Sequence, residues 1–442
     1  MVSSAERLAR NLDFSMITRA KELKSRFVFV VLALIVYRIG TYIPLPSINP
    51  NALKEIFAQQ NEGILGVFNM FSGGALGRMT VFALAIMPYI TSSIIIQLLS
   101  VAVPQLAALK KEGESGRRKI NQYTRYATYI LALVQGYGVA ISLESSYPIS
   151  SGVVSDPGVF FRITTMVTLA GGTMFLMWLG EQMTSRGIGN GISLIIFVGI
   201  VAELPSGFLS LGSINIHPVA VLFILLSALA LIFLIVFFER AQRRIIVQYP
   251  KRQVGNKLYA GDTTHLPLKL NTAGVIPPIF ASSLLLLPLT LTNFNSASTP
   301  PWLLDIASYL GHGQPAYIVA YTAIIIFFCF FYTAVVFNSE ETAENLKKNG
   351  GFIAGIRPGK PTALYLDYIL TRITVLGSIY LALVCVLPEI IIAKYSIPFF
   401  LGGTSLLIIV NVSIEFVGQV QSHLFAHQYE HLIKKSRIQG RK

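Results

Sequence analysis

Ten apolar runs, each about long enough to cross a bilayer, divide the sequence: 27–43, 79–99, 123–143, 159–179, 188–204, 217–238, 270–291, 317–337, 367–388 and 398–418. A spanning helix needs ~20 apolar residues, and lipid offers no hydrogen bonds to a backbone that is not already satisfied. The pattern points to an all-α integral membrane protein. Composition agrees, because 53% of the 442 residues are hydrophobic and 13% charged, roughly half the charge fraction of a soluble domain. The fifth run is short and relies on Gly191 and Gly199.

The net charge of +14 fits either a nucleic-acid binder or the cytosolic loops of a membrane protein, and its distribution decides. Basic residues come in bursts: Arg7, Arg10, Arg19, Lys21, Lys24 and Arg26 before the first run, Lys110, Lys111, Arg117, Arg118 and Lys119 after the second. Further bursts fill 239–269 and 338–366, and Lys434, Lys435, Arg437, Arg441 and Lys442 close the tail. Segments 144–158, 204–216 and 292–316 contain no Lys or Arg. Alternation of this kind places both termini in the cytosol. Aromatic residues are not interleaved with the bursts as RNA stacking requires. Cys329 and Cys385 both lie in apolar runs, so no disulfide framework is expected. Pro44-Leu45-Pro46 after the first run is not a small-residue cleavage site, so no cleavable leader is expected.

One stretch breaks the pattern. Met79 to about Ser100 reads as a spanning helix, but Phe68-Asn69-Met70-Phe71-Ser72-Gly73-Gly74-Ala75-Leu76-Gly77-Arg78 is greasy, too short to span and broken by glycines. Such backbone survives at membrane depth only when protein surrounds it or it lines a cavity. It reads either as an interfacial re-entrant turn or as a movable stopper at a pore mouth.

Five runs in each half, 27–205 and 206–418, imply halves of opposite orientation, as in inverted-repeat transport proteins. The N-terminal segment 1–26 and the tail 419–442 lie outside them. Loop 239–269 alternates around Ile245-Ile246-Val247, which predicts a projecting hairpin. Loop 338–366 carries the glycine turn Gly355-Ile356-Arg357-Pro358-Gly359. Both are longer and more basic than topology alone needs, which favours docking of a cytosolic partner.

Little in the runs suggests chemistry. Carboxylates and histidines at mid-depth, the mark of ion coupling, are scarce: Glu415, Arg38 and Arg162 lie toward ends of their runs, where snorkelling or pairing accounts for them. That scarcity weighs against a secondary transporter. His427-Gln428-Tyr429-Glu430-His431 fits an H-x-x-E-H zinc-protease pattern, but no acidic third ligand follows it. No catalytic residue, metal or cofactor is expected. Gly187-Ile188-Gly189-Asn190-Gly191 reads as a tight turn into the fifth run. The remaining polar groups are amides: Gln97, Gln135, Asn190, Asn271 and Asn411. Gln97 shares a helical stripe with Ile86 and Ile90, apolar at depth and polar toward the cytosol.

The stretches FNMFSGGAL (68–76), IMPYI (86–90), KKEGESGRRKINQYTRY (110–126), GTMFLMWLGEQ (172–182), RGIGNGIS (186–193), THLPLK (264–269), GIRPG (355–359) and GGTSLL (402–407) resemble the SecY family of bacterial protein-conducting channels, in order and over nearly the whole chain. The resemblance implies ten transmembrane helices in two inverted five-helix halves around an hourglass pore. It implies an isoleucine ring at Ile86, Ile90, Ile196, Ile200, Ile276 and Ile408, and a plug at about 62–78 containing Phe68, Asn69, Met70, Phe71, Ser72, Gly73 and Gly74. It also implies a lateral gate into lipid at which Gln97, Gln135 and Asn271 sit. Arg243, Arg244, Lys251, Arg252 and Arg357 are then docking residues for the SecA ATPase and a translating ribosome. SecE, SecG, signal sequences, nascent polypeptides and membrane lipids are further expected partners, with SecDF and YidC beyond them, at a bacterial cytoplasmic membrane. The family performs no chemistry of its own, so no enzyme activity is expected.

Overall fold

The computed structural model describes residues 21–50, 52, 69, 72–146, 153–213, 218–249, 252–254, 257–259, 263–294, 309, 314–395 and 402–439. The chain divides into two compact units: 1–213 with 291–299 and 408–442, and 214–290 with 300–407. Among the described residues, six helices are long and apolar enough to cross a membrane, seven if one bent pair counts as a single span. The ten crossings expected from hydropathy are therefore not all reproduced at that length. The first, fifth and seventh runs are helical at Lys21–Gly40, Gly191–Ser213 and Ile276–Phe294, but they are flanked by charge or short in apolar length.

The first unit opens with α1 (Lys21–Gly40), followed after a turn region by α2 (Met87–Ala102) and α3 (Pro104–Lys111). Here the structure corrects the expected second span. The helix starts at Met87 rather than Met79, and residues 72–86 form a succession of turns. Pro88 occupies the first helical turn, where its missing N–H costs nothing. Val103 before Pro104 is extended (φ −102°, ψ 116°), the conformation a following proline enforces. The chain consequently bends by 102° between α2 and α3. Sixteen helical residues reach only ~24 Å, short of a ~30 Å hydrocarbon core.

α4 (Glu114–Ser146) and α5 (Val159–Arg186) pack antiparallel. Arg125 makes a two-pronged pair with Glu181 near one end (2.9 and 2.7 Å), and Arg162 pairs with Glu144 near the other (2.7 Å). Arg162 is thus paired, as its position toward the end of a run suggested. α5 turns into α6 (Gly191–Ser213) through 187–190. Gly191 N–H donates to Thr184 Oγ1 (2.8 Å) and Gly189 N–H to Gln419 Oε1 (2.7 Å), so the glycine-rich run is the tight turn expected of it. Gln419 lies on α12 (Gly403–Gln439). The 427–431 run is helical backbone there, and its side chains lie outside the described ones.

The second unit contains α7 (Pro218–Arg240), β1 (Gln242–Gln248), β2 (Arg252–Val254), β3 (Lys257–Tyr259), β4 (Thr263–Lys269), α8 (Ile276–Phe294), α9 (Pro315–Val336), α10 (Ser339–Lys348), β5 (Phe352–Ile353) and α11 (Lys360–Tyr395). β1 and β4 pair antiparallel from Gln242↔Lys269 to Gln248↔Thr263, the hairpin that alternation in 239–269 predicts. One feature was not legible in advance. β5, from the second long loop, adds to the other edge of β1 through Val247↔Ile353 and Gln248↔Phe352. The two basic loops are therefore one platform, a sheet of order β4-β1-β5. Its inner face, Ile245, Leu268 and Ile353, packs on Leu366, Ile369, Leu370 and Ile373 of α11. Strand alternation leaves Arg244 and Ile246 exposed on the opposite face.

Candidate functional site

The turns at 72–86 take in residues 72–78 of the irregular stretch expected at 68–78 and run on through the start of the expected second span, and they are enclosed by protein. Ser72, Ala75, Leu76, Met79, Thr80, Phe82, Ala83, Ala85 and Ile86 are all buried. Phe82 stacks between Tyr37 of α1 and Phe175 of α5, with ring centroids 6.2 and 5.9 Å away. Leu45 N–H donates to Met79 O and Val81 N–H to Ile43 O, each at 3.0 Å. Leu76, Met79 and Ala83 share an apolar cluster with Leu45, Leu143, Val153, Phe161 and Leu169. This backbone meets the requirement that protein, not lipid, satisfies irregular structure.

Within the segment the bonds are local and dense. Asn69 Oδ1 accepts from Gly77 N–H (2.6 Å) and Asn69 O from Gly74 N–H (2.8 Å). Ser72 Oγ donates to Asn69 O (2.9 Å) and accepts from Leu76 N–H (3.1 Å). Gly73 and Gly74 take φ of 65° and 79°, the left-handed region that only glycine enters without strain. Phe68, Met70 and Phe71 lie outside the described residues.

Carbonyls of the segment face polar groups of its surroundings. Gly73 O accepts from Arg38 Nη1 (2.8 Å) and Arg78 Nη2 (3.1 Å). Gly74 O accepts from Arg78 Nε (3.0 Å), and Ser72 O from Tyr37 OH (3.3 Å). Glu203 on α6 stands 3.6 Å from Arg78. Of the two readings open for Arg38, snorkelling or pairing, the structure has its guanidinium partnered, turned onto the segment. Glu203 and Tyr37 are not among the expected site residues, and Arg78 is expected only as the charge that ends the stretch. The available signal was a charge next to a double glycine, but a partner 125 positions away, on another helix, leaves no trace in local spacing.

Of the six isoleucines singled out, Ile86, Ile196, Ile200 and Ile408 are buried, while Ile90 and Ile276 are half-buried. Ile86 caps the start of α2 and Ile276 opens α8, so these two stand where irregular backbone becomes helix. Ile90 N–H still donates to Ile86 O (3.0 Å), which keeps both on one stripe with Gln97. Among the amides, Gln97 and Gln135 are half-buried, and Gln97 Nε2 donates to Ser93 Oγ (3.1 Å). Asn271 is 3% exposed and committed within its own unit. Its Nδ2 donates to Glu239 Oε1 (2.6 Å) and Gly274 O (3.0 Å), and its Oδ1 accepts from Gly274 N–H (3.0 Å).

On the platform, Arg243, Arg244 and Arg357 are exposed. Arg357 sits in the turn between β5 and α11, where its carbonyl accepts from Thr362 Oγ1 (2.9 Å) and its side chain projects outward. Arg252 lies on β2 with its side chain outside the described ones, and Lys251 lies outside the described residues.

A family model described as SecY matches residues 80–417. The chain belongs to the SecY family. Among its relatives, the protein translocase subunit SecY of Rickettsia conorii is 57% identical over 423 residues, covering 95% of this chain and 98% of that one. The subunit of the same name from Escherichia coli K12 is 52% identical over 424 residues, covering 95% and 96%. The fold is shared with a solved protein-conducting channel (TM-score 0.61, 18% identity, 90% of this chain and 92% of that one). It is also shared with a SecY structure whose plug domain is described as stabilising the closed state and maintaining a membrane seal (0.59, 19%, 90% and 92%). Sec61 in a canine ribosome-channel complex is a third neighbour (0.58, 18%, 90% and 92%).

Proposed function

We propose that this chain is the channel subunit of a general secretory translocon in a bacterial cytoplasmic membrane. It passes unfolded preproteins across the bilayer and releases apolar segments sideways into lipid. The observation that carries the reading is a buried, non-helical, glycine-bearing segment among membrane-length helices, in a chain of the SecY family. A transport bundle that performs no chemistry has little other use for irregular backbone at that depth.

The isoleucine ring is the constriction. Isoleucine is stiff at χ1 and offers a passing peptide no hydrogen bond, and a hydrophobic constriction closes by dewetting. None of the six side chains is exposed, which supports the assignment, since residues facing only lipid would be. Residues 62–78 form the plug, and Gln97, Gln135 and Asn271 belong to the lateral gate. The platform bearing Arg243, Arg244 and Arg357 docks the SecA motor or a ribosome, and SecE and SecG complete the complex with both termini of this chain in the cytosol. SecDF and YidC act alongside it.

Photo-crosslinking tests this directly. Probes replacing Ile90, Ile276 and, as a control, the exposed Phe233 of α7 are placed in the assembled complex with an arrested export substrate. Adducts are expected from Ile90 and Ile276 and not from Phe233. Substrate adducts from Phe233 alone, or from none of the three while export proceeds, would overturn the reading.

A further inference from the structure

We propose that the plug is held in its seat by a two-arginine clamp on a single backbone carbonyl, and that Arg38, Arg78 and Glu203 set how readily the idle channel opens. The inference rests on reading residues 62–78 as the plug and adds to it the groups that latch it.

Three successive carbonyls, of Ser72, Gly73 and Gly74, each accept from a side chain of the surroundings or of the segment's own exit: Tyr37, Arg38 with Arg78, and Arg78. Two of the donors come from α1 and the third from the turn that leaves the glycines. The two guanidiniums also flank one aromatic ring, that of Tyr42, with their central carbons 5.1 and 4.3 Å from its centroid. Like charges this close repel unless something between them is negative. The Gly73 carbonyl, the π-face of Tyr42 and the Glu203 carboxylate supply that. Unseating the segment, Arg78 included, takes Gly73 O away from Arg38 and Arg78 away from the Glu203 carboxylate, so the cluster is built around the seated state.

The glycines belong to the same device. A β-carbon at Gly74 would collide with Arg78 and Glu203, and one at Gly73 would press on the α6 backbone at Gly199 as well as on Tyr37 and Arg38. Absence of side chains lets the carbonyls reach the arginines. Apolar packing holds the segment at Leu76, in the cluster with Leu45 and Leu143, but does little for the residues before it. Within a membrane, apolar side chains gain little by leaving lipid for protein, and Ser72, Gly73, Gly74 and Ala75 have little apolar surface to offer. Charge-assisted hydrogen bonds decide the seat.

The rival account is that Arg38 merely complements the C-terminal end of α1, as a basic residue in a last turn does. A plug-mobility readout separates the two. Ser72 is 1% exposed, so Ser72→Cys in the full reconstituted complex reports unseating by its reaction with a membrane-impermeant maleimide. The native Cys329 and Cys385 are buried. Arg38→Ala should raise both the labelling rate and the idle ion leak of vesicles roughly tenfold, the shift expected from losing one charge-assisted hydrogen bond. Glu203→Gln, which leaves the Arg38–Gly73 bond in place and weakens only the pairing with Arg78, should raise both by a smaller factor, and it carries the decision if Arg38→Ala does not assemble. A complex lacking residues 62–78 is the reference for an unplugged pore. If that deletion leaks while both substitutions label and leak at the parental rate, the clamp is refuted and the plug reading stands. If the deletion is as tight as the parent, the plug reading itself falls and takes the clamp with it.

Discussion

Export driven by the cytosolic motor should fall by about thirtyfold or more in an Arg357→Glu channel that still inserts and assembles normally. The magnitude is that of a buried hot-spot arginine, ~2 kcal/mol or more on truncation, with reversal of sign adding repulsion against an acidic or phosphate partner. Assembly should survive because Arg357 is exposed and its structural role is played by its carbonyl, which accepts from Thr362. The platform is the physical reason to expect so large an effect from one residue. β5 is stitched to β1, and the inner face of the sheet is packed on α11. The turn at 354–359 is therefore held between a strand and a helix start instead of swinging on a loop, and little ordering entropy remains to be lost on docking. Arg244, on the outward face of the same sheet, should show a smaller defect when changed to Glu. The measurement is ATP-driven preprotein import into inverted vesicles at matched channel content. Parental import by Arg357→Glu would remove the residue from the docking surface.

Asn271→Leu should destabilise the channel by about 2–4 kcal/mol, in the range for orphaning a buried charged partner. Glu239 is 8% exposed, and Asn271 Nδ2 donates to its carboxylate at 2.6 Å. Leucine fills the space but leaves the carboxylate without that donor. The pair closes the base of the hairpin: α7 leaves beside Glu239, α8 enters after Asn271, and Leu270 N–H donates to Ala241 O (3.0 Å) between them. Glu239→Gln should be mild, since an amide oxygen still accepts the bond. The combined Glu239→Leu, Asn271→Leu channel should recover at least half of the loss, because removing both partners leaves no orphan. Melting in detergent checks this, with a drop of at least ~3 °C expected for the single Leu variant and partial recovery for the double. A single variant as stable as the parent would show that Glu239 finds another donor. An amide that family resemblance places at a lateral gate is a structural tie, and any change in gating threshold on its mutation has to be read against that cost.

Local information carried far in this chain, and its reach has a physical limit. Apolar runs and basic bursts identified a multi-pass helical membrane protein, because lipid tolerates so few backbone solutions that hydropathy alone nearly dictates the class. Alternation around Ile245 announced the β1–β4 hairpin, since a strand's two faces are written directly into its period. The glycines after Phe71 marked a segment that lipid would reject, and it is buried in protein. Three things needed the tertiary structure. The second span was expected from Met79 because residues 79–86 are as apolar as those that follow, yet Pro88 and the turns before it defer the helix to Met87. The union of the two cytosolic loops depends on Val247 meeting Ile353 across more than a hundred residues. The arginines on Gly73 depend on α1, α6 and the turns converging. Hydropathy and period are properties of neighbours in the chain, whereas a hydrogen bond between distant segments is decided only when packing brings donor and acceptor within three ångströms of each other.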